Sequence, residues 1–196
     1  MNLLERDSVE VAPLLLGGIL TVDAVSLRIT EVEAYLGEVD PGSHAFRGPT
    51  PRTAVMYGPP GRLYTYFTYG MHVCANVVCA PEGVASAVLL RAGEIVDGLE
   101  VARLRRTTSK TDADLARGPA RLCVALGITL ADGGADLTAG RFSLALPTEP
   151  APFAAGPRTG VSGAGGTADY PWRFWIPDDP TVSPYKRSVP KRSAAS

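Results

Sequence analysis

Residues 26–37 read SLRITEVEAYLG. From Ile29 to Leu36 the side chains alternate, and successive side chains of a strand point to opposite faces. Ile29, Glu31, Glu33 and Tyr35 are therefore expected on one face, with Thr30, Val32, Ala34 and Leu36 on the other. Two carboxylates and a phenol stand in line. Such a pair suits general-base work by one carboxylate, and it equally suits a solvated strand face. Further on, ASAVLLRAG over 85–93 reads as an apolar strand that carries Arg91. A guanidinium in that setting needs a partner, and Glu33 or Glu31 is the candidate.

Outward from this strand, SVEVAPLLLGGIL at 8–20 reads as a short helix that docks through leucines and ends near Gly17 and Gly18. Residues 37–61 have loop composition, and a loop of that length in a compact domain is commonly functional or mobile. RLYTYFTYGMHVCANVVC at 62–79 reads as a hairpin: one strand through Tyr69, a turn at Gly70, and a second strand from Met71 to Cys79. Residues 94–106 have helical spacing, and Thr111 with Asp114 resembles a capping box. Pro119 opens a short helix that stops at Gly127, and FSLAL and WRFWI supply two more strands. The fold class expected is α+β: a single domain with a curved, mainly antiparallel sheet, short peripheral helices and a protruding hairpin. It spans residues 1–185, with a basic, unpatterned tail over 186–196.

Twenty-one glycines and seventeen prolines among 196 residues keep the elements short and argue against a helical bundle. The formal charge of -1 gives no polyanion footprint overall, yet residues 1–50 hold three basic and eight acidic side chains against sixteen and twelve afterwards. A nucleic-acid face would be local. Cys74, Cys79 and Cys123 are odd in number and lack metal-ligand spacing, which points to buried free thiols in a reducing cytosol. APLLLGGIL is too short to span a bilayer and follows acidic residues, so neither a targeting signal nor a membrane partner is expected.

The tyrosines are the unusual feature, with four of the seven, Tyr57, Tyr64, Tyr66 and Tyr69, falling in or just before the hairpin. Tyr64 and Tyr66 share a strand face with period two, whereas Tyr69 lies beside the Gly70 turn. An aromatic at a hairpin tip is poorly placed for core packing and well placed to wedge between stacked bases. Tyr35 and Tyr66, if they flank one pocket, could sandwich a planar ring, a contact worth roughly 1–3 kcal/mol per base. A tyrosine-rich strand also has high β propensity without any such role.

RITEVEAYLGEVDPGSHAFRGPTPR at 28–52, MYGPPGRLYTYFTYGMHVCANVV at 56–78, then AVLLRA, GPARLC, RTGV and PWRFW, taken in that order, resemble the alkyladenine (3-methyladenine) DNA glycosylase family of mammals and many bacteria. The resemblance implies a monofunctional base-excision repair enzyme that flips a damaged purine out of double-stranded DNA and hydrolyses its N-glycosidic bond without metal or cofactor, as a monomer in the cytoplasm. By position, Glu33 matches the base that activates the attacking water, Arg91 the arginine that helps hold that water, and the carbonyl of Thr159 its third contact. Tyr35, His44 and Tyr66 match pocket residues around the flipped base, and Asn76 one that crowds the exocyclic amine of guanine. Tyr69 matches the tyrosine inserted into the vacated space. Met71 and His72 match contacts beside that gap, and Thr50 and Arg52 match phosphate contacts.

Thr53 and His72 depart from residues common in the family, and the glycine-rich GAGGTADY at 163–170 can reshape a pocket wall. Two other readings remain at this level. One is a damage-binding module on the same fold that excises nothing, although a carboxylate facing a DNA sugar would cost such a binder through phosphate repulsion. The other is a carbohydrate hydrolase using Glu31 and Glu33, which lie too close for the two sides of an inverting mechanism.

Overall fold

The computed structural model describes residues 3–68 and 70–188. Its frame is one antiparallel sheet in the order β3-β4-β5-β2-β1-β6, with β8 also on β2 and β7 on β8. The strands are β1 (Ile19–Val22), β2 (Val25–Tyr35), β3 (Leu63–Thr68), β4 (His72–Val78), β5 (Ala87–Asp97), β6 (Phe142–Ala145), β7 (Ala154–Gly156) and β8 (Arg173–Trp175). Three short helices accompany them: α1 (Ser8–Leu15), α2 (Leu99–Arg105) and α3 (Pro119–Leu126). The expected single α+β domain is the one observed.

Local chemistry sets the helix ends. Asp7 caps α1 by accepting the amide N–H groups of Val9 and Glu10 at 2.9 and 3.0 Å. Pro119 sits in the first turn of α3, and Gly127, at φ 71°, closes it in the left-handed region. α1 lies on β2, and α3 lies on β4 and β5. Val11, Leu15, Leu27, Val32, Leu90 and Leu122 are among the side chains buried in the resulting core. No helix among the described residues is long and apolar enough to cross a membrane.

β2 is the axis of the molecule. One of its edges pairs with β5 along most of its length, while the other pairs with β1 over Val25–Arg28 and with β8 over Glu31–Glu33. The carboxylate segment thus has a strand on each side, which excludes solvent from it and overturns the solvated-face reading: Glu31 and Glu33 are both fully buried. The ladder with β5 is irregular here. Ile29 pairs with Gly93, Glu31 with Ala92 and Val32 with Leu90, which leaves Thr30 and Arg91 outside the paired register. A bulge of this kind re-aims side chains.

Four details differ from the sequence expectation. β1 and β7 were not anticipated, being only four and three residues long. Residues 94–97 extend β5 instead of starting a helix, because Asp97 still pairs with Ser26 and the chain turns only at Gly98, φ 70°. Thr111 makes no capping-box bond to the short turn at Asp112–Asp114, whereas Thr129 and Asp132 do form one. The hairpin ladder runs from Leu63↔Val77 to Thr68↔His72, with Gly70 at φ 68° in the turn. Tyr69, the expected wedge, lies outside the described residues.

Candidate active site

Glu33 lies at the floor of a cavity of about 680 Å³ whose walls include Tyr35, His44, Tyr66, Asn76, Arg91 and Thr159. Three donors hold its carboxylate. The Thr159 amide donates to Oε1 at 2.6 Å, Arg91 Nη1 lies 3.3 Å from the same oxygen, and the Tyr35 hydroxyl donates to Oε2 at 2.8 Å. An ionised carboxylate accepts about four hydrogen bonds, so roughly one position remains for a water or substrate in the cavity. Burial, and then the Glu33 charge, raise the Tyr35 hydroxyl well above its ordinary pKa, which keeps it a donor.

Arg91 resolves the choice between two partners by taking both. Its Nε donates to Glu31 Oε1 at 2.9 Å while its Nη1 faces Glu33. Glu31 is the better bonded of the two carboxylates: Arg173 Nε donates to Oε1 at 2.6 Å and the Ser183 amide to Oε2 at 2.7 Å. Burial alone would push the Glu31 carboxyl up, but the charges of Arg91 and Arg173 outweigh it and hold it below the usual range. Glu31 is therefore a fixed anion that orients Arg91, and Glu33 is the carboxylate that opens to the cavity.

The aromatic wall comes from β2, β3 and the loop after β2. The His44 ring meets the Tyr66 ring edge-on at 4.5 Å, its Nδ1 is 3.2 Å from the Tyr64 hydroxyl, and Tyr64 and Tyr66 lie 5.6 Å apart. The strand period thus puts Tyr64 into the wall, a role the sequence did not assign to it. Burial and the nearby Arg52 guanidinium push His44 down to about 4, although its ring opens to the cavity, so it is neutral near pH 7. Asn76, opposite Tyr64 in the hairpin, donates its amide N–H to the Tyr64 carbonyl at 2.9 Å and is buried. Its side chain is a rigid part of the wall.

A second buried ion pair supports this wall from behind. Arg158 is bidentate to Asp40 through Nη1 and Nη2, each at 2.6 Å, and its guanidinium lies over the Tyr35 ring at 4.6 Å and the Trp172 ring at 5.2 Å. The pair joins the loop after β2 to the segment carrying Thr159. Neither residue was singled out in the sequence, because the two lie 118 positions apart.

The remaining candidates lie at the rim. Thr50 and Arg52 are exposed, and Arg52 sits 5.3 Å over the Tyr66 ring with Nη2 3.4 Å from His44 Nε2. Thr53 is buried and binds the Thr50 amide at 2.9 Å, so this departure serves loop geometry. Met71 and His72 are exposed at the hairpin end. Of the basic tail expected over 186–196, Lys186, Arg187 and Ser188 line the cavity, and 189–196 lie outside the described residues.

The cavity thus sets a buried, arginine-held carboxylate beneath a tyrosine wall. A family model described as methylpurine-DNA glycosylase matches residues 2–180. A protein of Leifsonia xyli is 65% identical over 189 residues, covering 92% of this chain and 89% of the relative. One of Streptomyces avermitilis is 56% identical over 196 residues, covering 95% and 91%, and one of Nocardia farcinica 53% over 191, covering 93% and 89%. All three carry the name "Putative 3-methyladenine DNA glycosylase". The chain is thus a DNA glycosylase, a hydrolase of DNA repair. It belongs to the methylpurine-DNA glycosylase family.

Proposed function

We propose that this glycosylase takes alkylated or deaminated purines, 3-methyladenine, 7-methylguanine, hypoxanthine and 1,N6-ethenoadenine, out of the duplex and hydrolyses the N-glycosidic bond with a water activated by Glu33. The observation that carries the reading is the Glu33 carboxylate held by Arg91, the Thr159 amide and the Tyr35 hydroxyl at the floor of a tyrosine-walled cavity. A water on the remaining carboxylate position gives its proton to Glu33 as its oxygen attacks C1′, while Arg91 and the Thr159 carbonyl steady it. The same negative charge favours an oxocarbenium-like sugar as the purine departs.

Tyr35, His44 and Tyr66 receive the base. A cationic alkylated purine gains from their electron-rich rings, and its weakened bond needs little acid help. A neutral lesion needs protonation of the leaving base, and neutral His44 is a hydrogen-bond partner for it instead of its acid. Asn76, pinned to Tyr64, crowds the amine of normal guanine. Tyr69 fills the vacated stack, Met71 and His72 flank it, and Thr50 and Arg52 take phosphates. The enzyme acts as a monomer on bacterial DNA in the cytoplasm.

Single-turnover excision from duplexes carrying hypoxanthine or 1,N6-ethenoadenine and from methylated DNA, for the wild type and Glu33→Gln, tests this. Release by the wild type and its loss in the variant is the expected result. Release by both removes Glu33 from its role, and tight binding with no release by either refutes the excision chemistry.

A further inference from the structure

Residues 179–188 cross the molecule as a strap fastened along its length by hydrogen bonds to other elements. Thr181 Oγ1 lies 2.8 Å from Thr30 Oγ1, and the Val182 carbonyl accepts Arg117 Nε at 2.8 Å. The Ser183 amide donates to Glu31, and its carbonyl accepts Arg173 Nη2 at 2.9 Å. Finally the Lys186 carbonyl accepts the Gly160 amide at 2.9 Å. Gly160 follows Thr159, whose own amide holds Glu33, so this last bond brings Lys186 and Arg187 to the end of the cavity where the carboxylate sits.

The charges there are unevenly committed. Arg91 is spent on Glu31 and Glu33. Lys186 and Arg187 also line the cavity, both exposed, and neither has a carboxylate partner among the described residues. A Lys186 backbone held by Gly160 and two cations without a carboxylate partner among the described residues, lining the same cavity as an anion that would repel phosphate, make an electrostatic counterweight. From this we infer that Lys186 and Arg187 bind DNA phosphates flanking the flipped nucleotide, on the Glu33 side of the site. Arg52, beside Tyr66, then serves the base-stacking side, and the sugar is held between the two. The inference rests on the reading of the cavity as the seat of the flipped nucleotide.

Binding to a duplex with a central tetrahydrofuran abasic analogue, measured by fluorescence anisotropy from 50 to 300 mM salt, needs no catalysis. Each phosphate contact contributes about 0.9 to the slope of log affinity against log salt. Lys186→Ala with Arg187→Ala is expected to lower the slope by up to about 1.8 and the affinity roughly tenfold at low salt. The charge-conserving pair Lys186→Arg with Arg187→Lys keeps the wild-type slope. An unchanged slope in the alanine variant overturns the inference, and tighter binding would show that the strap shields the cavity instead. If the wild type binds the duplex but releases no base from the lesion substrates, the excision reading fails and the slope still judges these two residues.

Discussion

The floor of the site and the tip of the hairpin are built on opposite principles. At the floor, Glu31, Glu33, Arg91 and Arg173 are buried and bound to one another by ion pairs of 2.6 to 3.3 Å. At the tip, Phe67 and Met71 stand 51% and 69% exposed, and the ladder ends at Thr68↔His72. A buried charge must be held in place because leaving it unpaired costs several kcal/mol. An exposed apolar side chain forfeits burial energy until a partner covers it, so its value is realised only in a complex. Rigidity and stickiness are thus assigned to different ends of one sheet.

This contrast can be broken at either end. The largest effect is expected at the floor, where Glu33→Gln lowers single-turnover excision by about 10²- to 10⁴-fold, the range of a lost general base. Gln keeps an acceptor for the Thr159 amide, so the melting temperature should move little. A large drop in melting temperature would show that Glu33 serves stability as well. Asp40→Ala leaves Arg158 charged and buried, and is expected to cost about 3–5 kcal/mol in urea unfolding. A cost below 1 kcal/mol would mean that water reaches Arg158.

Thr159→Val acts in the other direction. The Thr159 hydroxyl is buried without a hydrogen-bond partner among the described residues, so its replacement by an isosteric methyl should stabilise the fold by about 1 kcal/mol. Destabilisation would reveal a partner for it. At the tip, Met71→Ala should shift stability by less than about 0.5 kcal/mol while weakening duplex binding several-fold. Equal affinity would remove the tip from the interface.

The smallest effect concerns His44, whose pKa in the fold, about 4, lies below its ordinary 6.5. The unfolded chain then binds more protons between those values, so the stability His44 contributes is complete above pH 6.5 and is lost as pH falls toward 4. Because the ring opens to the cavity, the change is modest. Between pH 7 and 5 the melting temperature of the wild type should fall by about 1–2 °C more than that of His44→Gln. Identical slopes would mean that the imidazole titrates freely.

Much of this was legible in the sequence, for identifiable reasons. β2, the hairpin and α3 announce themselves through alternation, a Gly70 turn, and Pro and Gly at the helix ends. β1 and β7 are too short to establish a period, and residues 94–97 keep helical spacing while their backbone is held by β2. At the site, Glu33, Arg91, Tyr35 and Tyr66 stand out by residue type, and Tyr64 could have been added from its period-two relation to Tyr66. The Thr159 amide could not, since a main-chain donor has no residue signature. Asp40 and Arg158 are ordinary loop residues until the fold closes the 118 positions between them.

The irregular register around Glu31 limits how this arrangement can be transplanted to another scaffold. Thr30 and Arg91 leave the ladder together, one to grip Thr181 and the other to reach both carboxylates. Copying Glu31, Glu33 and Arg91 onto a regular hairpin would reproduce the side chains without the backbone offset that aims them. The portable unit is the distorted pair of strands with its third strand and strap attached, and a designer would have to borrow the flaw along with the functional groups.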